Sequence, residues 1–173
     1  VIFRNNSGDD AFNAKYSNSI VESSVFYNNA ADAIDVDFSA GVIRNNIFVS
    51  NGNDGIDVGT SITLIEGNWI EKSGDKAISI GEESKPIIEN NVFYQNDIGI
   101  AVKDKAFPKI NNALFINNKT AFTMYIKKQK FSKPYASVSK SMFISNQNNL
   151  DLQDSTKIDL NALSISKNIK LDR

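Results

Sequence analysis

Four aspartates, Asp32, Asp35, Asp54 and Asp57, form two pairs with the same internal spacing, one pair 22 residues after the other. Asp9 reads as an earlier member of the Asp32/Asp54 position. Carboxylates brought together at such a spacing repel, and each raises the pKa of its neighbours. Three readings stay open for them. They could be solvated surface charge beside lysines. They could bridge a calcium ion, which wants several hard oxygen ligands, with Asp32, Asp35, Asp54 and Asp57 as the donors. They could also share acid–base work. If the site takes a cofactor at all, that cofactor is calcium.

A second group combines charge with aromatic faces. Tyr125, Lys127, Lys128, Lys130, Phe131, Lys133 and Tyr135 lie within 11 residues of one another. Aromatic rings stack on sugar rings and lysines attract anions, so this stretch suits an acidic glycan. A lysine-rich solvated loop is the plainer reading. Trp69, the single tryptophan, is either a further sugar platform or a shield over the fold.

Missing residue types exclude more. The chain has no His and no Cys. Ser-His-Asp and Cys-His catalysis, His-bearing zinc sites, disulfides and iron–sulfur ligation are therefore out of reach within it. No glycine-rich phosphate loop opens a helix, and no apolar run is long enough to span a bilayer. The formal net charge is −1, but residues 1–81 hold 11 acidic and 5 basic groups, whereas residues 82–173 hold 9 and 14. One end should be acidic and the other basic. With only Arg4, Arg44 and Arg173 as arginines, this is not the profile of a nucleic-acid binder.

The elements that must position these groups are set by a repeat. Phe3, Phe26, Phe48, Ile70, Phe93, Phe115 and Phe143 recur at steps of 23, 22, 22, 23, 22 and 28 residues. A fixed period of this size means units that cannot bury their own apolar side chains and must stack on one another. Three residues beyond each marker stand Asn6, Asn29, Asn51, Ser73, Asn96, Asn118 and Asn146. Asparagine tolerates a left-handed backbone and carries both donors and an acceptor, so the chain should turn a corner there. Phe12, Ile34, Ile56, Ile78, Ile100, Phe122 and Leu150 follow, mostly with an apolar residue two positions later. That alternation predicts a strand with one face inward. Short apolar pieces such as Val42-Ile43 and Ile87-Ile88 precede the next marker. Three strands per turn of about 22 residues make a parallel β-helix. The longest step places the aromatic and lysine-rich stretch, from Tyr125 to Ser137, in a loop that leaves the stack intact.

This repeat, with Asn46, Asn68 and Asn91 before the marker and asparagine after it, resembles the right-handed β-helix of pectate-lyase-like proteins over roughly residues 1 to 161. The handedness is what the resemblance implies. Locally, Asn53-Asp54-Gly55-Ile56-Asp57-Val58 resembles a strand of polygalacturonases, inverting glycosidases on the same fold, and Gly74-Asp75 falls where their paired aspartates would come. By that resemblance Asp54 or Asp57 with Asp75 would supply acid and base. The family's Gly-His-Gly is replaced here by Asp97-Ile98-Gly99, and no arginine stands near Val102-Lys103.

The expectation is a single all-β domain, 1–173: a right-handed parallel β-helix of about seven coils with 162–173 as a tail or cap. Because the chain opens at Val1-Ile2-Phe3 inside a repeat, it reads as a segment of a longer exported or surface protein, whose remainder is one partner. Polysaccharide is the other. The expected role is a carbohydrate-related or structural scaffold without catalysis in this segment. The alternatives are an aspartate-dependent glycosidase or lyase and an adhesion or fibre module.

Overall fold

A computed structural model describes residues 1–154 and 156–166. Every described strand pairs in parallel with its equivalent one coil away, giving sheets of eight, seven and seven strands. The coil around Phe48 shows the pattern: Ile47–Val49 in the first sheet, Ile56–Gly59 in the second and Ile62–Glu66 in the third. The expected three strands per coil and about seven coils are found. Strands are three to five residues long, except Lys76–Gly81, Ile98–Lys103 and Thr120–Tyr125 of the second sheet, which reach six. Among the described residues no helix is long and apolar enough to cross a membrane.

The marker residues form one interior column. Phe26 and Phe48 are fully buried with rings stacked at 4.9 Å, and Phe93, Phe115 and Phe143 stack at 4.8 Å. Ile34, Ile56, Ile78, Ile100 and Phe122 line the second wall, and Ile43, Ile65, Ile88 and Ile110 the third. Each coil thus contributes side chains that only its neighbours can cover.

The corners explain how a triangle closes. At the first, the left-handed residue is the one before the predicted column, with φ of 53° at Asn28, 54° at Ser50 and 55° at Gln95. The asparagine that follows faces inward and bonds along the stack. Asn51 Oδ1 accepts from the Asn29 amide at 2.8 Å, and Asn51 Nδ2 donates to the Phe26 carbonyl at 3.2 Å. A second asparagine ladder, Asn46, Asn68 and Asn91, occupies the corner before the markers. Ser39, Ser61 and Ser84 do the same at the third corner with hydroxyls. Buried main-chain donors at all three bends are satisfied by these ladders, as buried polar groups must be.

Of the tail expected at 162–173, Ser164–Ser166 adds an eighth strand to the first sheet. Residues 167–173 lie outside the described residues.

Candidate functional site

The outer face of the second sheet carries the aspartates. Asp35 and Asp57 pair directly in register, with Asn13 on one side and Ser79 on the other. Asp32, Asp54 and Lys76 form a neighbouring column, each backbone carbonyl accepting from the coil before it. The residue of coil one in that column is Asp10, not Asp9. Phe12 pairs with Ile34, and one extra residue between Phe3 and Phe12 shifts the register.

This acidic column is also a hydrogen-bond ladder. Asp32 Oδ1 accepts from the Asp54 backbone N–H at 2.7 Å and from Asn53 Nδ2 at 2.7 Å. Asp54 Oδ1 accepts from the Lys76 backbone N–H at 3.0 Å. The aspartates therefore serve the main chain much as Asn29 and Asn51 do three residues earlier in the same bend. Oxygens of Asp32, Asp54 and Asp57 lie within 4.8 Å of one another, and Asp35 is not part of that trio.

Lys76 replaces what would be the next aspartate. Its Nζ lies 3.5 Å from Asp54 Oδ1 and also bonds Asp75. Asp54 and Lys76 are almost fully buried. Burial pushes the Asp54 carboxyl up to about 7; Lys76 pulls against that, while Asp57, Asp32 and Asp75 add to it. Burial opposes the charge on Lys76, but the bond to Asp75 and the charge of Asp54 outweigh it and raise its pKa. Asp75 thus faces a lysine, not an open gap across which it could share a water with Asp54. The glycine of the polygalacturonase-like strand has a packing reason: a Cβ on Gly55 would stand 2.7 Å from the Ala77 carbonyl and 2.8 Å from Ile70 Cγ2.

The coil-six excursion, residues 126–134, folds back over this face. Asp104 Oδ1 accepts from the backbone N–H groups of Lys127 and Lys128, both at 2.8 Å, anchoring the loop's first turn. Lys128 Nζ then pairs with Glu82, two coils back. Between loop and sheet runs an open cleft of about 560 Å³ lined by Asp35, Asp37, Phe38, Asp57, Gly59, Thr60, Glu82, Glu83, Lys128, Lys130 and Phe131. That size falls in the range of about 300–1,000 Å³ typical of ligand sites.

The other predicted residues separate. Lys133 and Tyr135 face a different hollow with Ile126, Ser132, Pro134 and Lys157. The Lys127 side chain is exposed. Tyr125 is half-buried, paired in register with Lys103. Trp69 sits on the first sheet, partly exposed beside Tyr94, with Nε1 donating to Glu71 at 3.2 Å. It shares no site with the loop, because the marker strand and the loop's anchor belong to different sides of the triangle. Sequence reasoning missed Asp37, Phe38, Lys76, Glu82 and Asp104. Asp37 was findable by carrying the alternation one step beyond Asp35, whereas nothing local links Glu82 to Lys128 across 46 residues.

Comparison with solved structures finds crystal structures of the periplasmic alginate epimerase AlgG. One aligns with 15% identity and a TM-score of 0.56 over 87% of this chain and 43% of that one. A point mutant of the same enzyme aligns with 16% identity and a TM-score of 0.60 over 95% of this chain and 47% of that one. A second mutant aligns with 15% identity and a TM-score of 0.57, covering 91% and 45%. At this identity the likeness is one of fold, and the chain spans less than half of each epimerase chain. No curated protein matches the sequence. The family described as "Right handed beta helix region" matches residues 1–156. With parallel three-strand coils, stacked phenylalanines and corner ladders all in place, the chain belongs to that right-handed β-helix family.

Proposed function

We propose that the protein is a polysaccharide-binding β-helix of an exported or surface-associated protein, and that it binds without catalysing. One observation carries the reading: the coil-six loop returns across the second sheet and encloses a cleft with Phe38 and Phe131 among its walls. Rings offered to solvent beside polar groups suit carbohydrate, whose C–H faces stack on them. The periplasmic alginate epimerase on the same fold supports a polysaccharide ligand and a location outside the cytoplasm. The non-catalytic reading rests on Asp54, the best acid candidate, being used by backbone and Lys76.

The second reading, an aspartate-dependent glycosidase or lyase, has one observation in its favour. Asp35 on the cleft wall is pushed up to about 7, as is the buried Asp54, and a perturbed carboxyl in a cleft is what acid–base chemistry employs. Affinity electrophoresis through gels holding neutral, uronic-acid and amino-sugar polysaccharides tests the first reading. Retardation by at least one of them, weakened in Phe131→Ala, is the expected result. Release of reducing ends or unsaturated products from polygalacturonate, pectin or alginate, lost in Asp54→Asn, would replace it with the second.

A further inference from the structure

We propose that the cleft under the coil-six loop selects a sugar carrying a free amine, a glucosamine-type residue, over a uronate. The proposal rests on the polysaccharide-binding reading and adds the ligand's charge. The lysines of the loop, taken by themselves, point to an acidic glycan. The folded arrangement reverses that sign.

Five carboxylates line the cleft, Asp35, Asp37, Asp57, Glu82 and Glu83, against the ammonium groups of Lys128 and Lys130. Lys128 is engaged by Glu82, and Glu83 is paired with Lys105 at 2.6 Å. Lys130 lies over the Phe131 ring at 5.0 Å from its centroid. Among the described residues no lysine or arginine forms an ion pair with Asp35, Asp37 or Asp57. Three carboxylates from two adjacent coils therefore face the cleft with no base at ion-pair distance; Lys15, in register with Asp37, holds its ammonium over the Tyr16 and Phe38 rings instead. A uronate entering there would add a further negative charge to that wall, whereas an ammonium would lower the repulsion already present.

The site's shape points the same way. Gly59 sits in register with Asp37, and a Cβ at Gly59 would stand 2.3 Å from Asp37 Oδ1. The glycine leaves the space that this carboxylate occupies at the cleft wall. Phe38, 46% exposed, stacks on Tyr16 at 5.0 Å, which extends the ring surface one coil beyond the cleft. Both rings sit at left-handed corner positions, φ 48° and 52°, where bulky residues are uncommon. Ring surface beside carboxylates that lack an ion-paired base fits a ring with C–H faces and a charged amine. The Asp35 carboxyl, pushed up to about 7 by burial and then by Asp37, Asp57, Asp10 and Asp32, is the group such an amine would relieve.

The test is titration calorimetry of the whole chain at pH 7 in low salt and chelator, with glucosamine hexamer, N-acetylglucosamine hexamer and hexagalacturonate. The expected result is that the free-amine hexamer binds about tenfold or more tightly than either other sugar. The double variant Asp35→Asn/Asp37→Asn should erase that preference, and Phe131→Ala should weaken binding of every sugar. The double variant removes repulsion and not a buried contact, so it should melt no lower than wild type. Equal or tighter binding of the acetylated or uronate hexamer, lost in Phe131→Ala, would overturn the amine preference and leave the polysaccharide reading standing. Binding of none of the three would overturn both. A lysine-rich peptide that outcompetes the glucosamine hexamer would make the ligand protein and overturn both as well.

Discussion

Lys76 stands one coil above Asp54 in the same column, its Nζ 3.5 Å from the aspartate's Oδ1, so the acidic ladder ends in its own counter-ion. Removing one member of a buried ion pair costs about 3–5 kcal/mol, because the other is left charged and unpaired. Lys76→Met should therefore destabilise the protein strongly. With the lysine gone, Asp54 resists ionisation further, so the loss should grow as pH rises. Asp54→Asn should cost less, since Lys76 keeps Asp75. Urea melts of the three proteins at pH 5.5 and pH 8 provide the comparison.

Asn51→Leu should lower the melting temperature clearly. The change strips acceptors from the Asn29 backbone and side-chain amides and a donor from the Phe26 carbonyl. Each buried group left unpaired costs about 1–3 kcal/mol, and each kcal/mol moves the melting point of a chain this size by about 2–4 °C. An unchanged melt would show the ladder to be dispensable.

A pH dependence follows from Asp35. Its folded carboxyl is pushed up to about 7 from the ordinary 3.8, first by burial and then by neighbouring carboxylates. Between those values the folded form holds a proton that the unfolded chain has released, so this group's contribution falls as pH rises through that window and is lowest above 7. Asp35→Asn should match wild type near pH 4 and exceed it near pH 8. Calorimetric melts across that range would refute the assignment if the two curves ran parallel.

Calcium is expected to bind weakly. Asp32, Asp54 and Asp57 approach one another closely enough to share an ion, but Lys76 already stands beside Asp54 and competes with a dication. An affinity of about 0.1–1 mM, at the weak end for calcium sites, is the expectation. Millimolar calcium should then raise the melting temperature slightly by mass action, and not at all in Asp54→Asn/Asp57→Asn. Equal melting in calcium and chelator would return these aspartates to their role as backbone acceptors.

What the linear sequence determined is everything that repeats. The phenylalanine column, the asparagine corner, the alternating strand beginning at Ile34, Ile56 and Ile78 and the outward direction of Asp35 and Asp57 are all legible. In a solenoid each residue meets its equivalent one period away, so spacing along the chain is contact in space. Errors arise where the period slips by one, as at Asp10, or where a corner's geometry is carried by the residue beside the marked one, as at Asn28 and Ser50. Tertiary structure alone decided the aperiodic part. Nothing in the spacing tells which way the coil-six loop leaves the stack, that Asp104 catches its backbone, or that Lys128 reaches Glu82. Those contacts join non-equivalent positions across several coils, and they depend on side-chain reach and charge, for which a repeat offers no template. The composition of the cleft was decided there: Lys128, which looks free in the sequence, is held by Glu82, and aspartates that look like a separate ladder become one wall of the cleft.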